Sequence, residues 1–313
     1  MTDKTLSLLK CIKCSGKLVV SKEEKRDQKH LVEGVLKCSK CKKTYPVRNA
    51  IPRFVKDDMY VSSFSFEWQT HKQTQLDSVS GDKESDVTFF EKTTFSPKEI
   101  KGKLVLDVGS GSGRFSEVVL KHGGAVVGVD LSFAVDAARG NFPLSSSVDF
   151  VQADIFNLPF TEESFDLIFS IGVLHHTKNT KQAFMALPKL LKKKGKVAIW
   201  LYSYLVFRYY VMSEFLRKYT SKMNQRLLYW LCHIAVPYYH LVNLKFVGPI
   251  FALLLPTSTH PKAEWRILDT FDWYSPTYQW KHTTHEVFDW YKEAGLSDLK
   301  VGKHEVSVCG TRA

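Results

Sequence analysis

The sequence predicts an α/β fold, a doubly wound and largely parallel sheet, with a small metal-built module ahead of it and a helical insertion late in the chain. Three observations carry this. From residue 99 onward, short β-branched runs alternate with helical segments. A glycine-rich turn, Gly109-Ser-Gly-Ser-Gly113, follows the first buried run and opens a helix. Four of the six cysteines fall within the first 41 residues as two Cys-x-x-Cys pairs. At 313 residues the chain accommodates one large domain and a small one. Its 44% apolar and 24% charged residues are a globular composition, which excludes a disordered chain.

Residues 1–56 make the small module, 57–98 a polar, aromatic-punctuated linker with N-terminal helices, and 99–313 the main domain. Leu104–Val108 is a buried strand, Phe115–His122 a helix, and Ala125–Asp130 the next strand. Val148–Ala153 and Phe165–Ile171 are the third and fourth strands. Thr180–Leu191 is expected as a helix stopped by Lys192-Lys-Lys-Gly195, whose cations suit a helix C-terminus. Lys196–Leu201 is the fifth strand. Residues 202–262 then break the regularity. His285–Ala294 is an amphipathic helix ended by Gly295, and short strands around Leu299 and Val306 close the chain. No internal repeat is evident.

Met1–Lys10 lacks the apolar core of a signal peptide, so a reducing, cytoplasmic setting is expected. Cysteines there serve as metal ligands or buried thiols rather than a disulfide framework, and isolated Cys232 and Cys309 read as buried thiols. The formal charge of +12 is concentrated, with 15 Lys and Arg against 5 Asp and Glu in residues 1–56. A basic module attracts nucleic acid or anionic membrane, or keeps a small domain soluble.

Cys11-Ile-Lys-Cys14 and Cys38-Ser-Lys-Cys41 are two knuckles separated by 23 residues. Each turn aims two sulfurs at one point, and together they supply the four thiolates a structural Zn²⁺ prefers; a redox pair is the alternative. Such a site is coordinatively closed and supports folding, not catalysis. With the flanking Tyr45-Pro46 to Ile51-Pro52, residues 6–55 resemble the zinc ribbon of the small activator subunit of tRNA and protein methyltransferases. One departure is Lys42, where the second knuckle usually has glycine. In that family the ribbon is commonly a separate protein that stabilises a methyltransferase partner, so its fusion here implies a methyltransferase.

The glycine loop after Leu106-Asp107-Val108 lets the backbone approach a ligand while a helix N-terminus offers free N–H groups. Asp107 before the first glycine sets it apart from the dinucleotide fingerprint. Asp130, ending the second strand, is positioned for both hydroxyls of a ribose, and Asp154 with Ile155 for an adenine. With Leu158-Pro-Phe160, Ser164-Phe-Asp166 and Ile171-Gly-Val-Leu-His175-His176, residues 100–200 resemble class I, type 11-like S-adenosylmethionine methyltransferases. Their nearest branch is that of ubiquinone-biosynthesis and tRNA-wobble-uridine enzymes. The resemblance implies a Rossmann-like seven-stranded sheet. It also implies that Asp107, Gly109, Ser110, Gly111 and Gly113 hold the methionine end of S-adenosylmethionine, Asp130 and Leu131 the ribose, and Asp154 and Ile155 the adenine, with Ile171 alongside. The bland reading of Asp130 and Asp154 is that they cap strand ends.

Methyl transfer needs alignment, exclusion of water and, for a protonated acceptor, a base. His175 and His176, at the end of the fourth strand, are the candidate catalytic residues, or else one of them merely packs. The insertion is dense in aromatics from Tyr202 to Tyr210 and carries no charged residue from Arg226's successor Leu227 to Leu244. That run is marginal for a span of about 20 residues, so a helical lid over the site is expected, with peripheral membrane docking as alternative. An apolar lid argues for a small, lipophilic or glycosidic acceptor. Asp269 to Glu286 is read as an aromatic loop that completes the acceptor site or is pinned to the core. Competing functions are an RNA methyltransferase gripping phosphates with the basic ribbon, and a protein that binds S-adenosylmethionine or a partner without turnover.

Overall fold

The computed structural model describes residues 1–27, 29–56, 59–204 and 207–313. The N-terminal module has α1 (Asp3–Leu8) and a four-stranded antiparallel sheet of β1 (Leu18–Asp27), β2 (His30–Cys38), β3 (Thr44–Arg48) and β4 (Ile51–Pro52). Four helices follow: α2 (Ser62–Thr70), α3 (Asp77–Ser80), α4 (Glu84–Thr93) and α5 (Pro97–Ile100). The main sheet begins with β5 (Leu104–Val108), α6 (Arg114–Lys121), β6 (Ala125–Asp130), α7 (Ala134–Asn141), β7 (Val148–Gln152), β8 (Phe165–Ile171), α8 (Thr180–Met185) and β9 (Leu191–Trp200). Helices α9 (Phe207–Thr220), α10 (Gln225–Cys232), α11 (Ala235–Val242), α12 (Gly248–Leu254) and α13 (Ala263–Tyr274) form the insertion. Helix α14 (Thr284–Glu293) and strands β10 (Leu296–Val301) and β11 (Ser307–Arg312) complete the chain.

The seven strands run β10-β11-β9-β8-β5-β6-β7, all parallel except β11, which is antiparallel to both neighbours. Strands β5 to β8 are buried on both faces because both are covered, which is why they read as predominantly hydrophobic runs. The strand order reverses between β5 and β8, and open α/β sheets bind ligands in the crevice at such a point.

Two expectations need correction. The helix from Thr180 stops at Met185, because Pro188 lacks the N–H a continuing helix needs. Lys192 to Gly195 lie instead within β9, where pairing with β8 jumps from Phe165↔Leu191 to Leu167↔Lys196. Lys194 takes a φ of 63° there, so the supposed helix stop is a bulge. The stretch read as a loop from Asp269 is helical through Tyr274, being the second half of α13.

The N-terminal module is built into the sheet. Arg53 pairs in parallel with Gln152 at the end of β7, and Phe54 N donates to Gln152 O at 2.8 Å. Leu9, Leu18, Leu36, Tyr45 and Phe54 share one apolar cluster with Val127, Val151 and Phe160 of the main domain. Asp149 on β7 accepts hydrogen bonds from Thr2 and Thr5 at 2.6–2.9 Å. Each large apolar side chain buried at this seam is worth about 1.5–3 kcal/mol.

Leu227–Leu244 is split into α10 and α11, and among the described residues no helix is long and apolar enough to cross a membrane. Leu205 and Val206 of the aromatic run Tyr202–Tyr210 lie outside the described residues.

Candidate active site and metal centre

The C-terminal ends of β5, β6, β7 and β8 open into a cleft of about 1070 Å³, roofed by α2 and the insertion. That is as large as the upper range of small-molecule sites, about 1,000 Å³, and gives room for two ligands side by side.

One half is the glycine loop. Gly109, Gly111 and Gly113 all have positive φ, and a Cβ on them would meet Val173 at 2.3 Å, Trp68 at 3.2 Å and Phe142 at 2.5 Å. Only glycine lets the backbone lie so close beneath these side chains. Asp130 binds the loop itself, accepting from Gly111 N at 3.0 Å and from Ser132 N and Oγ at 2.8 and 2.7 Å. Asp154 caps the turn that follows β7, accepting from Phe156 N at 3.0 Å. Both carboxylates still line the cleft, with Gly109, Ser110, Gly111 and Leu131, and Ile155 and Ile171 complete that wall. Ser110 Oγ is buried without a hydrogen-bond partner. A glycine cradle, an orphaned hydroxyl and two carboxylates at the ends of neighbouring strands fit S-adenosylmethionine. Asp107 and Gly113 do not line the cleft. Asp107 sits beneath the loop, accepting from Ser116 Oγ at 2.7 Å, and burial raises its carboxyl to about 7.

The two histidines separate. His176 faces the cleft; its Nδ1 donates to Tyr278 O at 2.8 Å, which leaves Nε2 as a buried, unpartnered acceptor. Burial lowers its pKa to about 3. His175 is wholly buried, packed between the rings of His176 and Tyr202 at 4.1 and 4.0 Å, and does not line the cleft. Burial holds it neutral as well.

The other half of the cleft sets buried acids among apolar walls; Asp269 and Asp272 come from the segment expected to complete the acceptor site, whereas Glu67 was not singled out. Glu67 of α2 is 1% exposed, and its Oε2 has no partner. Asp272 of α13 accepts from Tyr202 Oη at 2.8 Å. Burial raises Glu67 well above the usual carboxylate range, helped by Asp272 and Asp269, and lifts Asp272 to about 7. Lys92 of α4 lies 3.3 Å over the Trp200 ring, its pKa lowered to about 7 by burial and then by Arg114. Two acids at Asp269 and Asp272, one helical step apart inside an aromatic segment, were the available signal. Glu67 and Lys92 come from the supposed linker, and no local pattern marks them.

In the N-terminal module the four sulfurs of Cys11, Cys14, Cys38 and Cys41 all lie within 4.8 Å of one another. Cys11–Cys41 and Cys14–Cys38 are each 3.5 Å apart. Tetrahedral zinc with bonds of about 2.3 Å needs sulfurs about 3.8 Å apart, so the set fits that ion. Tyr45 Oη, 3.1 Å from Cys11 Sγ, is placed to donate to a thiolate. Lys42 adopts a φ of 64°, the conformation glycine favours, so its departure from the ribbon pattern changes the residue and not the turn.

Comparison with known proteins accords with this division. Residues 106–199 match the family described as Methyltransferase domain, and residues 2–49 that described as Trm112p-like protein. A ubiquinone biosynthesis O-methyltransferase of Coxiella burnetii is 34% identical over 100 residues, 31% of this chain and 43% of that protein. Phosphoethanolamine N-methyltransferase 1 of Arabidopsis thaliana is 36% identical over 126 residues, 38% of this chain and 24% of that protein. The chain spans less than half the length of these curated relatives. Among solved structures, the complex of the Haloferax volcanii Trm112 methyltransferase activator with a methyltransferase aligns with a TM-score of 0.46 and 13% identity, covering 79% of this chain and 96% of that one. The chain is thus similar to a Trm112p-like protein at its N-terminus and to a methyltransferase domain over residues 106–199.

Proposed function

We propose that this protein transfers a methyl group from S-adenosylmethionine to a hydroxyl or amine of a small acceptor, of which a glycosidic molecule is the best example. The observation that carries this reading is the single cleft uniting a glycine-lined half with a carboxylate-lined half. When bound, S-adenosylmethionine supplies an activated methyl on a sulfonium. The residues that would hold it are the Gly109–Gly113 loop, Asp130, Leu131, Asp154, Ile155 and Ile171, with Asp107 bracing the loop from below.

An oxygen or nitrogen nucleophile sheds a proton as it gains carbon. Asp272, whose carboxylate form is supported by the Tyr202 hydroxyl, takes that proton. Glu67, its carboxyl held well above the usual range by burial, offers its free oxygen as a hydrogen-bonding point, and His176 Nε2 accepts a hydrogen bond. Trp200 and Trp273 supply apolar faces beside these groups, a combination suited to a sugar. An apolar acceptor is the second reading, supported by Phe64, Trp200, Leu268 and Trp273 in the walls of the same cleft. The four cysteines would hold a structural zinc that keeps the N-terminal module folded.

The test is to incubate the protein with methyl-labelled S-adenosylmethionine and cell extract, then separate organic-soluble, small polar and RNA fractions. Label in small polar or glycolipid material, reduced roughly 10²-fold or more by Asp272→Asn, is the expected outcome. Label in RNA would overturn the acceptor class and make the basic module a phosphate clamp. No label in any fraction, with S-adenosylmethionine still bound, would leave a binding protein without turnover.

A further inference from the structure

Three helices of the insertion turn apolar stripes to solvent. On α9 the stripe is Val211, Phe215 and Tyr219, spaced by four; on α10 and its end it is Leu227, Trp230, Leu231 and Ile234. Leading into α12 and along it are Val247, Ile250 and Leu254. Trp230 is 70% exposed and Phe246, in the turn before α12, is 86% exposed. Residues at this spacing ordinarily face a core. Here the core is already served by the opposite side of α10, where Leu228 and Cys232 pack with Ile267, Phe271 and Tyr274. An outward apolar surface of this extent marks a contact face.

Charge identifies what it meets. Residues 207–254 hold six Lys and Arg and one acid, Glu214, which is paired with Arg217 at 2.8 Å. Lys218, Lys222, Arg226 and Lys245 stand exposed among the apolar side chains. A self-complementary contact between two copies would set these cations against one another. An apolar helical face studded with aromatics and rimmed by Lys and Arg matches the boundary between lipid headgroups and acyl chains. No described helix can span a bilayer, so contact is at the surface.

We propose that this outer face docks on an anionic lipid bilayer, with Trp230 and Phe246 entering the headgroup–acyl boundary and the four cations meeting lipid phosphates. Pro249 and Ala252 of α12 line the cleft while Ile250 and Leu254 face outward, so the docked helices also wall the acceptor chamber. The inference does not depend on the methyl-transfer reading, since it rests on the outer surface alone.

The experiment is co-sedimentation of the whole protein with vesicles of phosphatidylcholine alone or with roughly one-third phosphatidylglycerol. About tenfold more protein is expected on the anionic vesicles, less as salt rises. The double variant Trp230→Glu, Phe246→Glu should lose that binding while keeping its circular dichroism and its affinity for S-adenosylmethionine. Wild-type protein that ignores anionic vesicles, or a variant that binds them as wild type does, overturns the proposal. So does wild-type self-association abolished by the variant without vesicle binding, which would assign the face to a second copy. Because cofactor affinity is read in parallel, failure here is distinguishable from failure of the catalytic reading.

Discussion

Carboxyl groups on the two sides of the cleft are treated in opposite ways. Asp130 is shielded but receives three donors, whereas Glu67 keeps one oxygen with none. Burial, and then Asp269, lifts Asp272 to about 7 despite the bond from Tyr202. Between the ordinary carboxylate range and about pH 7 the folded protein therefore holds a proton the unfolded chain has released. Stability from this group is greatest at low pH and falls as pH rises to 7. Asp272→Asn removes that proton uptake, so its gain in Tm over wild type should grow from pH 5 to pH 8. At about 2–4 °C per kcal/mol the shift is readable in thermal melts. A Tm difference independent of pH would show that Asp272 titrates like an exposed acid. The histidines make a second prediction. His176→Ala should cut turnover and also lower Tm through the lost bond to Tyr278 O, while His175→Ala, which empties a filled space, should lower Tm by several degrees with turnover per folded molecule kept. Full turnover in both variants would remove histidine from the chemistry.

At the scale of elements, one side chain of the module makes a charged link to the cofactor half. Arg53 grips Asp136 of α7 with both guanidinium nitrogens, at 3.1 and 2.6 Å, and donates to Gln152 Oε1 at 2.8 Å. Gln152 Nε2 in turn donates to Leu131 O at 3.1 Å, beside Asp130. Arg53→Ala should weaken S-adenosylmethionine binding several-fold in calorimetric titration, although Arg53 does not line the cleft. Unchanged affinity would mean the loop holds its own shape. Elements with local signatures were legible in the sequence: the cysteine knuckles, the glycine turn, and β5 to β8, whose residues need only their neighbours to declare a strand. Those set by distant partners were not. Helix α13 escaped because Asp269 and Asp272 interrupt its apolar face to reach the cleft, and Lys192 to Gly195 imitated a helix stop. Glu67, Trp68 and Lys92 lie before the sheet begins, and only the fold carries them to the cleft. The insertion's helices were expected to turn their apolar residues inward, and most turn them outward.

For the whole molecule, the division of the core matters. One cluster runs unbroken from the N-terminal module through one face of the sheet, a second fills the other face, and a third ties the insertion together around Phe271. The module and sheet should therefore melt in one calorimetric transition, and two separated transitions would contradict the shared core. Amides of α10 and α11, which rest on the smallest cluster, should exchange hydrogen early and those of β5 to β8 last. Cys11 meets the Tyr45 hydroxyl, the Tyr45 ring packs 4.6 Å from that of Phe54, and Phe54 follows Arg53, so a path runs from the cysteines to Leu131 with a thermodynamic corollary. Two occupancies that each favour the same arrangement of that path must favour one another, and by the same factor in both directions. The protein would then hold its metal most tightly when metabolically charged with S-adenosylmethionine. Titration with a chelator should need a higher concentration to strip zinc from the cofactor-saturated protein, and a starved cell would surrender that zinc first.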